Sequence, residues 1–249
     1  VGSAKVGWHL RRVVAEGTRV GLEHGGVAPV ILDESADLEL ALPLVVRGAM
    51  YHAGQVCVSV QRILVHERIC DELTARLIQA TRALTVGDPR HADTDVGPLI
   101  RAREVRRVEH VVRQAVDAGA RLLVGGERLG HQAFAPTLLA DPAPATAVMT
   151  EEVFGPVAAI VPFSTLDQAF ALANHPRLHF QSAIFTERHR TAMQAARALR
   201  ASTVLINDVT TFRADWMPFG GHGESGLGLA GGPFGLRELS AQKLVVMRA

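Results

Sequence analysis

Cysteine is scarce in this chain, which excludes the classes of protein that depend on it. Only Cys57 and Cys70 occur among 249 residues. Two cysteines are too few for a disulfide scaffold, and no cluster of cysteine and histidine has the spacing of zinc ligands. We therefore expect reduced thiols and no metal site.

Long apolar runs and an excess of one charge are also missing. No run of about 18 apolar residues suggests a membrane span. The 26 basic and 25 acidic residues give a net charge of +1, and without a basic stripe we expect no nucleic acid partner. Because the amino terminus also lacks the pattern of a signal peptide, we predict a cytoplasmic protein with no membrane contact.

Strand-like apolar runs alternate with helical patterns along the chain, which is 48% hydrophobic. The predicted strands are 19–22, 27–32, 62–65, 121–124, 157–163, 182–185 and 203–206. The predicted helices are 38–51, 70–84, 104–118, 166–174 and 191–199. This alternation predicts an α/β fold with an open, twisted, mostly parallel sheet flanked by helices.

Three further segments carry their own expectations. Val6, Leu10, Val13 and Val14 have helical spacing from the very start, so we expect part of the protein to precede this chain. The glycine-rich stretch 218–235 predicts a long ordered loop. Residues 244–247 form a final apolar strand without an obvious partner in the sheet, which suggests pairing with another subunit.

Cys57 is the first candidate for chemistry, because it lies between a predicted helix and a predicted strand in the sequence Ala-Gly-Gln-Val-Cys-Val-Ser. A single cysteine is most often a buried small hydrophobe. Gly54, however, permits close backbone approach, and successive amides around a turn can stabilise a thiolate or an oxyanion. Both interpretations stay open on the local pattern.

Two carboxylates are further candidates. Glu23 follows the predicted strand 19–22, and a carboxylate at that end could act as a general base; a solvated loop position is the alternative. Glu152, in Glu-Glu-Val-Phe-Gly-Pro, could accept from a pair of ribose hydroxyls, and a surface turn explains it equally well.

Four segments together resemble the motifs of the aldehyde dehydrogenase superfamily, in the same order and at approximately the same spacing. They are Glu-His-Gly-Gly at 23–26, Gly-Gln-Val-Cys at 54–57, Glu-Glu-Val-Phe-Gly-Pro-Val at 151–157, and Met-Pro-Phe-Gly-Gly with Glu-Ser-Gly-Leu-Gly at 217–228. The resemblance covers essentially the whole chain. It implies the second half of a polypeptide about twice as long, which oxidises an aldehyde with NAD or NADP.

The resemblance assigns the chemical steps to two residues. Cys57 attacks the aldehyde to give a thiohemiacetal, and its backbone N–H forms half of an oxyanion hole; hydride loss then leaves a thioester. Glu23 activates the water that hydrolyses this thioester. His24 replaces the usual leucine of the motif, and we expect it to pack rather than to alter the pKa of Glu23.

The remaining assignments concern the cofactor and the substrate. Glu152 resembles the residue that holds the nicotinamide ribose, with Phe154 beside the nicotinamide. Gly2 and Ser3 resemble the start of the helix that meets the pyrophosphate. Phe219 resembles an aromatic wall of the substrate tunnel.

Arg213 lies in the same tunnel segment, where relatives are typically apolar or aromatic. A guanidinium there would bind an anionic group, and we hypothesise a small anionic or hydroxylated aldehyde. A salt bridge from Arg213 to Asp215, or to another subunit, is the alternative. Asn207 is expected to be structural, and the absence of the family's Arg-Glu pair after Gly228 leaves the interface charges open.

By the same resemblance, residues 1–25 are a remnant of the Rossmann-like cofactor-binding domain, 26–240 the catalytic domain and 241–249 an oligomerisation strand of a homodimer or homotetramer. The family's first half supplies most of the dinucleotide site and one oxyanion donor. We therefore expect the isolated chain not to be a dehydrogenase. An inactive structural subunit and a cysteine-dependent esterase are the alternative functions.

Overall fold

The structure is a computed structural model, and it describes residues 1–248. The helices are α1 Ala4–Val13, α2 Leu38–Met50, α3 Glu67–Arg82, α4 Ala102–Asp117, α5 Ala147–Thr150, α6 Leu166–Asn174, α7 His189–Ala198 and α8 Gly232–Leu239. The strands are β1 Leu22–Glu23, β2 Pro29–Leu32, β3 Arg62–His66, β4 Arg121–Val124, β5 Arg128–Leu129, β6 Ala133–Phe134, β7 Thr137–Ala140, β8 Val157–Phe163, β9 Leu178–His179, β10 Gln181–Phe185, β11 Thr203–Ile206, β12 His222–Gly223 and β13 Gly226–Leu227. None of the helices in this part of the chain is long and apolar enough to cross a membrane.

Seven strands form the central sheet, in the order β11-β10-β2-β3-β8-β7-β4. Every neighbouring pair is parallel except β4 with β7, which is antiparallel. The prediction of an open, mostly parallel sheet is confirmed. Because both faces of a parallel sheet are covered by crossover helices, its inner strands are buried and largely apolar, as all four residues of β2 illustrate.

Alternate residues of the inner strands belong to two separate cores. Val30 and Leu32 of β2 pack in the larger core, which contains residues of α2, α3 and α4. Ile31, between them, packs in the smaller core with residues of α6 and α7. The side-chain period of two along a strand produces this division.

A buried arginine ties β3 to the helix α6. The guanidinium of Arg62 donates to the carbonyls of Leu172 and Ala173 at 2.7 and 3.0 Å, and its Nε donates to the carbonyl of Val27 at 2.8 Å. Burial lowers the pKa of Arg62 to about 9. These bonds satisfy carbonyls that the last turn of a helix leaves free, and they fix the beginning of β3.

The amino ends of four parallel strands lie at one edge of the sheet. Gly26 precedes β2, Cys57 precedes β3, Glu152 precedes β8 and Phe180 precedes β10. Segments far apart in sequence therefore converge there. The expectation for Glu23 was wrong in its detail, because this residue belongs to the short strand β1, which pairs with β13 outside the central sheet.

Two further differences concern the helices and strands. The helix α8 begins inside the stretch expected to be a loop, since Pro233 lies in its first turn, where proline is tolerated. Strand β7 was missed, because a buried run as short as its four residues cannot be told from a helix or loop segment by its period alone. Residues 244–247 pair with no strand within residues 1–248, and Met247 is 89% exposed, so the pairing of this segment with another subunit stays a prediction.

Candidate active site

The loop that carries Cys57 is held in an unusual backbone conformation. A 3-10 turn at Tyr51–Gly54 follows α2, and His52, Ala53 and Gly54 all have positive φ values, the last of +69°. A Cβ on Gly54 would lie 2.0 Å from the carbonyl oxygen of Gly155. Glycine is therefore required where this loop touches the segment of Glu152.

Gln55 fixes the other side of the same loop. Its Nε2 donates to the carbonyl of Pro98 at 3.2 Å, and its Oε1 accepts from the amide of Ile100 at 2.9 Å. Ser59 donates to the carbonyl of Gly48 on α2 at 3.1 Å. Cys57 thus lies on a loop that is bonded at both ends.

Gln61 positions the segment of Glu152 and was not found by the sequence analysis. Its Nε2 donates to the carbonyls of Val148 and Glu151 at 2.8 and 2.7 Å, and its Oε1 accepts from the amide of Val153 at 2.9 Å. The side chain is buried. A glutamine at the start of an otherwise apolar strand is the signal that could have revealed it, because buried amides need partners.

Glu152 points into the interior beside the Glu-His-Gly-Gly segment. A Cβ on Gly25 would lie 1.5 Å from its Oε1, so only glycine leaves room for this carboxyl. The same Oε1 is buried and has no hydrogen-bond partner within residues 1–248. Burial raises the pKa of Glu152 to about 7, against the opposing effect of Arg107.

Cys57 lies directly against the glycine motif, because its carbonyl accepts from the amide of Gly26 at 3.1 Å. The thiol is partly buried, and its pKa is raised to about 11. Burial is the largest cause, and the negative charges of Glu152 and Glu23 add to it. The fold therefore brings Cys57, Glu23 and Glu152 together. In this arrangement the thiol is neutral, and a nearby base is needed to make it a nucleophile.

Gly2 and Ser3 lie next to Glu23. The amide of Gly2 donates to the carbonyl of Glu23 at 3.1 Å. Ser3 is the N-cap of α1, yet its hydroxyl makes no capping hydrogen bond. The amino end of α1 therefore keeps amides and a hydroxyl that a ligand could use.

Phe154 and Asn207 both have left-handed backbone conformations, with φ values of +46° and +57°. Phe154 is 39% exposed beside the buried Glu152. Asn207 uses its Oδ1 to accept from the amide of Thr186 at 2.9 Å, which joins the carboxyl ends of β11 and β10. Asn207 therefore lies away from the edge where Cys57 lies.

An aromatic stack leads from the glycine motif to Arg213. Phe180 packs on Gly26, since a Cβ on Gly26 would lie 3.0 Å from the Cβ of Phe180. The ring centres of Phe180 and Phe219 are 4.9 Å apart. The guanidinium of Arg213 lies 4.3 Å from the centre of the Phe219 ring. Such a cation–π contact holds an arginine in place while its charge stays accessible.

The salt bridge from Arg213 to Asp215 that the sequence left open is not formed. None of the ion pairs within residues 1–248 includes Arg213. Among residues 1–248, its one hydrogen bond goes to the carbonyl of Met217 at 3.3 Å. Most of its donors are therefore available, since a guanidinium has five N–H groups.

The buried carboxyl of Glu152 predicts a pH-dependent stability. The pKa of Glu152 is about 7 in the folded chain against 4.5 for the unperturbed group. Its contribution is therefore fully present below about pH 4.5 and is lost as pH rises through 7. Relative to Glu152→Gln, wild type should lose roughly 2–3 kcal/mol between these limits. Urea unfolding of both proteins from pH 4 to pH 8 measures it, and parallel curves would contradict it.

The family model of the aldehyde dehydrogenase family matches residues 1–245, and the chain belongs to this family. A 3-sulfolactaldehyde dehydrogenase from Priestia aryabhattai is 37% identical over 246 residues, which cover 99% of this chain and 51% of that protein. The chain thus spans about half the length of this relative.

Two solved structures are similar over nearly the whole chain. Glyceraldehyde-3-phosphate dehydrogenase GapN from Methanocaldococcus jannaschii, complexed with NADP, is 38% identical with a TM-score of 0.93, covering 96% of this chain and 52% of that one. Aldehyde dehydrogenase 21 from Physcomitrella patens, in complex with the reaction product succinate, is 33% identical with a TM-score of 0.96, covering 99% and 51%. Both support the same fold.

Proposed function

We propose that the whole protein oxidises a small hydroxylated or anionic aldehyde to the carboxylic acid, with NAD or NADP as hydride acceptor. The meeting of Cys57, Glu23 and Glu152 at one edge of the sheet carries this proposal. Similarity to relatives that are named for lactaldehyde, sulfolactaldehyde and glyceraldehyde 3-phosphate also supports it.

Cys57 and Glu23 perform the covalent steps. The thiol loses its proton to water, directly or through Glu23, and adds to the aldehyde carbon, giving a thiohemiacetal whose oxyanion accepts from the amide of Cys57. Loss of hydride from that carbon leaves a thioester. Glu23 then takes a proton from water, the hydroxide attacks the thioester, and the acid and the thiol are released.

NAD or NADP, when bound, supplies the hydride acceptor. The buried, unpartnered Oε1 of Glu152 fits such a group, because a ribose hydroxyl would give this atom the hydrogen bond it lacks. Phe154 would pack beside the nicotinamide. The Ser3 hydroxyl and the free amides of the first turn of α1, which Gly2 precedes, would bind the pyrophosphate.

Arg213 determines the substrate class in this proposal. Phe219 and Phe180 lie between its guanidinium and the glycine motif beside Cys57, so the two rings form a wall with the guanidinium at its charged end. A carboxylate, phosphate or sulfonate at the far end of a short aldehyde would bind there in bidentate fashion.

The Arg213→Met variant separates anionic from neutral substrates. A hydrogen-bonded charge is typically worth about 1.5–3 kcal/mol, so we expect kcat/KM for anionic aldehydes to fall about 10- to 100-fold, chiefly through KM. Propionaldehyde should lose less than about 3-fold, because its end carries no charge. Arg177→Met, on a surface ion pair with Glu224, is the matched control. An equal loss for neutral and anionic aldehydes in Arg213→Met contradicts the assignment.

The function itself is tested by assaying the whole protein with a panel of short aldehydes and both cofactors. Formation of NADH or NADPH together with the acid product is the expected result. Ester hydrolysis that depends on Cys57, without any cofactor reduction, would instead favour an esterase. The panel also decides between NAD and NADP.

The setting of this activity is part of the same proposal. We assign residues 1–25 to the cofactor-binding region, 26–240 to the catalytic domain and 241–249 to oligomerisation, in a cytoplasmic homodimer or homotetramer. The exposure of Leu244 and Met247, at 87% and 89%, supports the last assignment, because an apolar segment of this kind suits burial against another subunit.

A further inference from the structure

His24 is buried between three separate segments of the chain. Its Nδ1 lies 2.9 Å from the carbonyl oxygen of Glu224, and since a carbonyl only accepts, Nδ1 carries the proton. Trp8 of α1 donates to the same oxygen at 3.1 Å. The two rings also meet edge to face, with 5.5 Å between their centres.

The other ring nitrogen of His24 presses on the backbone of α1. A Cβ on Gly7 would lie 1.9 Å from Nε2, so glycine is needed to admit the imidazole. Nε2 is buried and has no hydrogen-bond partner within residues 1–248. A buried nitrogen without a partner costs stability that an apolar side chain of similar volume would not lose. Packing alone therefore does not explain a histidine here.

The backbone on both sides of His24 is bonded to the same neighbouring segments. The amide of His24 donates to the carbonyl of Ser225 at 2.9 Å, and the carbonyl of Gly25 accepts from the hydroxyl of Ser225 at 2.9 Å. The carbonyl of Glu23 accepts from the amide of Gly2. A movement of the imidazole would therefore be transmitted to the residue that precedes it.

We propose that His24 is a positioning residue, which ties α1 and the loop at 224–226 to the backbone of Glu23 and so holds the Glu23 carboxylate beside Cys57. This inference rests on the proposed pairing of Glu23 with Cys57. The side chain acts through its bond to Glu224 and its contact with Gly7, and it touches neither substrate nor cofactor.

A double-mutant cycle tests this positioning without requiring turnover. Wild type, His24→Leu and His24→Asn are each made with and without Glu23→Gln. Leucine fills the space but cannot donate, whereas the Nδ2 of asparagine can replace Nδ1. The rate of alkylation of Cys57 by iodoacetamide is measured by mass spectrometry at a pH below the thiol pKa, where the rate follows the thiolate fraction. Cys70 serves as the internal reference.

Glu23→Gln removes a negative charge that raises the pKa of the thiol, so it should speed alkylation of Cys57 about 2- to 10-fold in wild type. The same factor is expected with His24→Asn. In the His24→Leu background the acceleration caused by Glu23→Gln should fall below about 2-fold, because the Glu23 carboxylate is no longer held beside Cys57. A variant whose Cys70 also reacts faster has lost its fold, and His24→Met then takes the place of leucine.

The outcomes separate this inference from the proposed function. Equal acceleration by Glu23→Gln in all three backgrounds would overturn the role of His24 and leave the pairing of Glu23 with Cys57 intact. No acceleration in any background would show that Glu23 does not act on the thiol. That result overturns both the role of His24 and the proposed pairing of Glu23 with Cys57. Only a loss confined to His24→Leu supports the positioning role.

Discussion

In the whole protein, replacing Cys57 with alanine is expected to remove the proposed aldehyde oxidation almost entirely, with a loss in kcat of at least about 10,000-fold. No covalent intermediate can form without the thiol, and within residues 1–248 no other cysteine lies at this edge of the sheet. Steady-state cofactor reduction with a saturating aldehyde measures the loss. Trapping the acyl intermediate on intact protein by mass spectrometry shows directly whether it is carried by Cys57.

Cys70→Ser is the matched control for this prediction. Cys70 lies on α3, where its sulfur is 3.9 Å from the hydroxyl of Thr74, and burial raises the pKa of this thiol also. The serine variant should keep kcat within about 2-fold, because surface and half-buried polar changes away from the site are nearly neutral. Residual oxidation in Cys57→Ala above one thousandth of the wild-type rate would argue for a different nucleophile.

The second large effect is expected from Gly54→Ala. Its φ of +69° is unfavourable for alanine, and the added Cβ would lie 2.0 Å from the backbone oxygen of Gly155. Positive φ costs about 1 kcal/mol, and relief of the overlap requires the two backbone segments to separate. We expect a total loss of about 3 kcal/mol or more in the free energy of unfolding.

Gly130→Ala isolates the backbone component of this loss. Gly130 has a φ of +73°, and no atom lies within 4 Å of the position of its Cβ. It should lose only about 1 kcal/mol in urea unfolding. Gly54→Ala should also lose activity, because the Cys57 loop and the Glu152 segment move apart. Equal destabilisation of the two variants would show that the contact with Gly155 is unimportant.

Local chemistry explains how much of the fold was predictable. Strands 121–124, 157–163 and 203–206 and helix 166–174 were predicted with the bounds that the structure shows. Their apolar periods and flanking polar residues are local signals. Strand β7 was missed because a buried run of four residues has no diagnostic period. Helix α8 was missed because a glycine-rich stretch can still form a helix when packing and Pro233 permit it.

The candidate site was predictable only in part. The sequence did not predict which distant residues form hydrogen bonds with its side chains. Cys57, Glu23 and Glu152 were proposed by motif, while Gln61 and the bond of His24 to Glu224 were not. Each of these depends on a neighbour far along the chain, such as Val148 for Gln61. Sequence patterns are recognised within short windows of residues, and these partners lie outside any such window.

The amino-acid sequence by itself determined the alternation of strands and helices, the parallel sheet, and the residue types available for thiol chemistry. The tertiary structure alone decided that the amino ends of β2, β3, β8 and β10 meet at one edge, and that Gly54 and Gly25 admit Gly155 and Glu152. The physical reason is range: hydrophobic period and turn chemistry act over a few residues, whereas close packing acts between segments about 100 residues apart in this chain.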